Sequence, residues 1–214
     1  MIEYIKIPTP FVRAENGTRK LIEGEFRDKF VEYLASLKWI FTEKVDGTNV
    51  SIEWDGHEVT IHGRTERAQL PRPLLDRLEE FKSIEVEELF EQKFGERHVI
   101  LYGEGYGGKI QKNKAYGEHE DFILFDVYLP DSDLWLDRES VEEIAKAFGV
   151  KVVPVIMTGT IDAAVKYVKQ KPCSHLGDLT MEGLVGRPVI EMKDKQGKRI
   201  IVKVKVKDFD TASE

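Results

Sequence analysis

The sequence predicts an α+β fold in which antiparallel sheets are flanked by helices. Three observations carry this expectation. Segments in which apolar and polar residues alternate crowd the middle and the end of the chain. Segments with apolar residues at helical spacing are scattered among them. No strand–helix–strand rhythm of the kind that builds a parallel sheet runs through the sequence.

Taken in order, Phe26, Phe30, Leu34 and Leu37 recur at helical spacing, so a helix is expected ahead of the first long strands. Trp39 to Trp54 reads as two strands around an Asp46-Gly47 turn, with Val50, Ile52 and Trp54 alternating with polar residues. Val59 and Ile61 mark a further strand after Asp55-Gly56. Leu74 to Phe94 is helical in pattern, with a break expected near Ser83. Val99 to Tyr102 is a short strand feeding the glycine-rich stretch Gly103 to Gly108, and Phe122 to Tyr128 is a continuous apolar run ended by Pro130, as in a central strand. Asp137 and Thr160 are suited to cap helices over Glu139 to Phe148 and Ile161 to Lys169. Leu184 to Ile190 and Arg199 to Val206 read as two closing strands around Gln196-Gly197.

A chain of 214 residues with no internal repeat or Pro/Gly linker is expected to form a single domain, long enough to bury a substantial core. No apolar run reaches the length of a membrane span, and Met1-Ile2-Glu3-Tyr4-Ile5-Lys6 lacks the basic and apolar regions of a secretory signal. The lone Cys173 cannot close an internal disulfide. Together these point to a cytoplasmic protein without membrane attachment. The formal charge of −7 argues against a general nucleic-acid coat protein, which needs a cationic face. The charge is segregated, however: Leu74 to Glu96 is rich in glutamate, whereas Lys193 to Lys207 is predominantly basic and can create a local positive site.

The chemistry is concentrated in Thr42-Glu43-Lys44-Val45-Asp46-Gly47-Thr48-Asn49. Alone, a Lys-x-Asp-Gly turn reads as a solvated hairpin. Four further motifs follow it: Tyr102-Gly103-Glu104-Gly105-Tyr106-Gly107, Phe122-Ile123-Leu124-Phe125-Asp126-Val127, Glu182-Gly183-Leu184-Val185 and Ile201-Val202-Lys203-Val204-Lys205-Val206-Lys207. In this order the five resemble motifs I, III, IIIa, IV and V of the covalent nucleotidyltransferases, which comprise ATP-dependent DNA ligases, RNA ligases and mRNA capping enzymes. Within that superfamily the likeness is to the RNA ligase 2-like enzymes, and it runs from about Phe41 to Phe209. It implies an ATP-grasp-like nucleotidyltransferase domain over residues 1–214, with two antiparallel sheets and a nucleotide cleft between them.

The resemblance assigns roles residue by residue. Lys44 would be the nucleophile that attacks the α-phosphate of ATP, releases pyrophosphate and holds AMP as a phosphoramidate. A free lysine titrates near 10.4, so nearby cations or desolvation must help it shed its proton. Lys203 and Lys205 alternate on one strand and project to one face, with Val202, Val204 and Val206 turned to the core. They would ligate the α-phosphate and stabilise the transition state. Lys207 continues their face. Glu182 would stand near a catalytic Mg2+ or Mn2+, which needs only one or two carboxylates beside water and phosphate. Among the nucleotide contacts, Glu43 would face the adenine amino group, Arg64 the sugar and Glu104 the ribose hydroxyls, while Phe125 would stack on the purine. Asn49 would hold metal-bound water, or else form an Asx turn. Asp46 and Asp126 would orient the site, Arg187 could contact phosphate, and His62 reads as structural.

DNA ligases and capping enzymes carry an oligonucleotide-binding (OB) domain after motif V, and here only Asp210 to Glu214 follow Phe209. That departure favours an RNA ligase joining a 5′-phosphate to a 3′-hydroxyl, with no C-terminal OB domain and with room for a partner chain that places the RNA. A non-catalytic nucleotide- or RNA-binding module and a DNA nick ligase are the alternatives. A binding module would have no need of the nucleophile.

Overall fold

The computed structural model describes residues 1–15, 20–65, 67–112 and 116–209. It divides into two compact units: Met1–Ile5 with Asp46–Val153, and Lys6–Val45 with Pro154–Glu214. Each has its own buried core. The tail after Phe209 lies outside the described residues.

In chain order the strands are β1 (Phe11–Arg13), β2 (Leu21–Phe26), β3 (Trp39–Lys44), β4 (Thr48–Trp54), β5 (Val59–His62), β6 (Val99–Gly107), β7 (Glu120–Leu129), β8 (Leu134–Trp135), β9 (Lys151–Val152), β10 (Val155–Gly159), β11 (Gly183–Pro188) and β12 (Val202–Lys205). The α-helices are α1 (Lys29–Leu34), α2 (Arg72–Leu78), α3 (Ile84–Phe94), α4 (Arg138–Ala147) and α5 (Ile161–Lys169).

The second unit is built on the antiparallel sheet β10-β3-β11-β12, with β1 and β2 forming a separate ribbon. Alternation along β3, β11 and β12 turns Trp39, Phe41, Leu184, Val202 and Val204 inward, all fully buried. Ile161, Ala164, Val165 and Val168 of α5 complete that core. Thr160 caps α5 by accepting from the Ala163 N–H, as its position in the sequence predicts. The first helix departs from expectation. Asp28 caps it by accepting from the Phe30 and Val31 N–H groups, so it starts at Lys29 and Phe26 ends β2, its ring 4.9 Å from that of Phe11. Val31 and Leu34 face the core, whereas Phe30 and Leu37 are 40% and 53% exposed.

The first unit carries the larger sheet, β5-β4-β6-β7-β8, with β9 joining β7 in parallel. Leu74, Leu78, Phe90, Phe94, Val141 and Ile144 from α2, α3 and α4 cover one face of it. The expected break at Ser83 is present as an extended residue after a short 3-10 turn, and Asp137 caps α4 by accepting from the Ser140 N–H.

Two further expectations change in ways that matter for the site. Although β3 and β4 are separated only by the Asp46-Gly47 turn, they do not pair: β3 lies between β10 and β11, β4 between β5 and β6. Alternation marks a strand without naming its partner. The glycine-rich stretch is strand through Gly107 rather than loop. Its core-facing positions are glycine because neighbours press against them: a Cβ at Gly103 would lie 2.3 Å from the Phe122 ring, and one at Gly105 2.3 Å from Leu74.

Candidate functional site

In the second unit, register brings together residues that are far apart in sequence. Gly183 is the Cα partner of Lys44 on one side and of Lys205 on the other. Paired residues point to one face, so the two lysines flank a position with no side chain, on the face opposite the Trp39 core. Glu182 fills that gap. Its Oε2 accepts from Lys44 Nζ at 2.6 Å and its Oε1 accepts from Lys205 Nζ. The exposures are 22%, 14% and 15% for Lys44, Glu182 and Lys205, so the cluster is open to a ligand while partly shielded from water. Lys203 stands opposite Val185 on the same face. The strand ends at Lys205. Lys207 sits in a 3-10 turn over Val206–Asp208 and is exposed, so it does not extend the row.

Burial pulls the Glu182 carboxyl upward, but the charges and hydrogen bonds of Lys44 and Lys205 prevail and hold it below the ordinary glutamate range. Lys203 is lowered, first by desolvation and then by the charges of Lys205 and Lys44. This face therefore strains against its own positive charge, which suits it to a polyanion.

Glu43 does not share that face. It follows Trp39 and Phe41 onto the core side, is 2% exposed, and its carboxylate accepts from the Ser174 hydroxyl and from the His175 N–H at 2.9 Å. The expected contact with adenine is thus replaced by an anchor for the 173–180 loop. Ser174 and His175 carry no motif that sequence could reveal. Arg187 is buried on β11, two residues beyond Val185.

The first unit gathers the other candidates. Asn49 on β4 and Glu104 on β6 are Cα partners, on the sheet face opposite the helices. Asp126 pairs with Tyr102 one row along, but Gly103 pairs with Leu124, so Phe125 is the extra residue of a β-bulge. Phe125 is half-exposed between fully buried Leu124 and Asp126 at 2%. Asp126 accepts from the Tyr4 hydroxyl at 2.5 Å. Tyr4 could not be found from sequence, being a lone aromatic in a segment without periodicity.

Asp46 and Gly47 are clamped. The Asp46 N–H donates to the Tyr116 hydroxyl at 3.2 Å, and the Gln111 side-chain amide donates to the Gly47 carbonyl at 3.0 Å. A Cβ at Gly47 would lie 2.2 Å from the Gly105 carbonyl oxygen, so only glycine fits the turn. Arg64 is exposed in a bend after β5, at the end that adjoins the start of β4. His62 lies 3.3 Å from Glu53 and 3.0 Å from the Thr60 hydroxyl, in keeping with a structural role.

Among the described residues no group of three or more His, Cys, Asp or Glu converges on a metal position. The donor chemistry fits a divalent ion that takes one carboxylate, that of Glu182, and completes its oxygens from phosphate and water. No helix among the described residues is long and apolar enough to cross a membrane.

Three solved structures of Naegleria gruberi RNA ligase are similar to this chain. A lysine-to-alanine mutant with ATP and Mn has a TM-score of 0.65 at 22% identity, covering 92% of this chain and 57% of that one. An apo aspartate-to-alanine mutant has 0.66 at 21%, covering 95% and 59%. The ligase with PPi has 0.64 at 21%, covering 92% and 55%. This chain therefore spans somewhat over half the length of these proteins, and at such identities the likeness is one of fold. The description of the RNA ligase family matches residues 37–205, which takes in every motif from Lys44 to Lys205. The chain belongs to the RNA ligase family.

Proposed function

We propose that this chain is the adenylyltransferase part of an ATP-dependent RNA ligase, forming a single catalytic domain over residues 1–214. The Lys44–Glu182–Lys205 cluster carries the reading. A carboxylate held between two lysines, with a third beside them, is a costly arrangement for a structural role and a suitable one for binding a triphosphate.

Lys44 leaves its ion pair, gives up a proton to solvent water and attacks the α-phosphorus with the freed nitrogen lone pair. The new N–P bond replaces the bond to pyrophosphate, which departs with the electron pair. Lys203 and Lys205 hold the phosphate oxygens on which charge develops. A divalent ion (Mg2+ or Mn2+), when bound at Glu182, neutralises phosphate charge. Asn49, Arg64, Glu104 and Phe125 recognise the nucleoside, within the nucleotide cleft that the resemblance implies. AMP then passes to an RNA 5′-phosphate, and a 3′-hydroxyl displaces it to seal the strand. A partner chain that positions the RNA ends, and a cytoplasmic setting, belong to the same proposal.

The test is intact-mass analysis after incubation with ATP and a divalent ion, without nucleic acid. One added AMP is expected, and none in Lys44→Ala. An adduct that survives Lys44→Ala would remove the nucleophile assignment, and no adduct at all would favour a binding module.

A further inference from the structure

We propose that Tyr4 is a positioning residue for base recognition: it locks the β7 bulge so that Phe125 is presented at one angle. The inference rests on Phe125 being the base-stacking aromatic.

A bulged residue escapes the ladder that fixes its neighbours, and Phe125 is half-exposed. Something else must hold it if it is to form a ready-made surface. Tyr4 is placed to do so from two directions. Its hydroxyl donates to Asp126 Oδ2 at 2.5 Å, immediately after the bulge. Its ring meets Phe125 edge-on, with centroids 4.9 Å apart and planes at 68°. Tyr4 is itself held by Tyr102, whose ring centroid lies 5.0 Å away, and by Trp135 at 5.7 Å. Tyr102 also donates its hydroxyl to the Ile2 carbonyl at 2.7 Å, tying down the segment that carries Tyr4. Tyr102 and Asp126 are Cα partners on the two strands that frame the bulge. Tyr4 thus bridges both sides of the irregularity, about 120 residues from its own place in the sequence.

Edge-to-face aromatic contacts are directional, so this one restricts the Phe125 ring before any ligand arrives. Ordering such a side chain on binding would otherwise weaken affinity by about 3- to 10-fold. Tyr4 lies beside the ring and contributes nothing to phosphate binding.

The experiment uses the full chain carrying Lys44→Ala, which blocks the covalent step, and compares ATP with inorganic triphosphate by titration calorimetry. Tyr4→Phe keeps the ring and removes the hydroxyl. It should weaken ATP about 3- to 10-fold and leave inorganic triphosphate unchanged. In a Phe125→Ala background, Tyr4→Phe should cause no further loss. Equal weakening of both ligands would show a merely structural role and overturn the proposal, as would unchanged ATP affinity in Tyr4→Phe when Phe125→Ala weakens it. If Phe125→Ala has no effect on ATP, the base-stacking reading fails and this inference fails with it. Tyr4→Ala, which also removes the ring, should exceed Tyr4→Phe in effect; thermal melting of both variants identifies any loss of fold.

Discussion

The outer faces of the two main sheets use the same backbone geometry to display opposite kinds of side chain. On β3, β11 and β12 the residues turned away from the core are Lys44, Lys203 and Lys205 around Glu182, a row of charges set against one another. On β4, β6 and β7 they are Asn49, Glu104, Tyr102 and Phe125, amide, carboxylate and aromatic groups of which the two aromatic rings both pack on Tyr4. Each sheet also needs a glycine, Gly183 on the charged face of β11 and Gly105 on the core face of β6, but the two differ in what crowds them. A Cβ on Gly183 would lie 2.2 Å from the Val204 carbonyl oxygen, which is backbone, whereas one on Gly105 would meet the end of the Leu74 side chain. The first sheet holds its charges by rigid register; the second is backed on its core side by packing that can give.

The largest expected effect tests the charged face. Lys205→Met retains the aliphatic stem and removes one preorganised cation, so self-adenylylation followed by mass should slow roughly 100- to 1,000-fold while the fold survives. Full activity would reduce Lys205 to scaffold. The glycine pair comes next. Gly105→Ala should cost about 1–3 kcal/mol in denaturant unfolding, the usual range for overpacking against a side chain that can move, with activity kept at permissive temperature. Gly183→Ala should cost more stability and also lose adenylylation, because relief there requires β12 to shift with Lys205 upon it. Equal effects at both glycines would erase the contrast between the sheets.

The smallest effect is one of sign. The Lys203 amine is lowered by desolvation and by its neighbouring cations, so the folded state titrates below the unfolded one. Its charge therefore costs stability at neutral pH, and that cost lifts as pH rises towards the unfolded lysine value. Lys203→Met should stabilise the chain by a few tenths of a kcal/mol at neutral pH, the scale of partly exposed charge interactions, and the gain should shrink in alkaline buffer. The same variant should lose adenylylation activity. Destabilisation at neutral pH would mean that the lysine is a net support of the fold.

How much of this was legible depends on the kind of force involved. Lys44, Glu182, Lys203 and Lys205 stood out only through the order of their motifs along the chain, since a lysine in a turn and lysines alternating on a half-buried strand are each ordinary alone. The caps at Asp137 and Thr160 were equally readable, since capping is a local hydrogen bond. Partner choice was not. Nothing in Trp39 to Trp54 tells that its two strands enter different sheets, and although alternation sets Glu43 on the face opposite Lys44, nothing in the sequence names Ser174 as its partner. The helix around Phe30 was foreseen and Leu34 is buried as its spacing suggests, but the Asp28 cap starts it at Lys29, so that Phe26 falls on β2 and Val31, not Phe30, joins Leu34 inward. Tyr4 and Gln111 act through contacts made only after the chain has closed on itself.

The bulge at Phe125 acts as a one-residue shift of reading frame. Before it, Phe122 and Leu124 face the core; after it, Val127 and Leu129 do, so the inward parity changes from even to odd. Removing Phe125 would merge the two halves into an uninterrupted alternation with every inward residue still inward and Asp126 and Tyr128 still outward. For the packing of the sheet, then, this phenylalanine is supernumerary. A chain under selection for stability alone could delete it and keep its core, which makes a variant lacking only this residue a way to separate what the fold requires from what the fold carries.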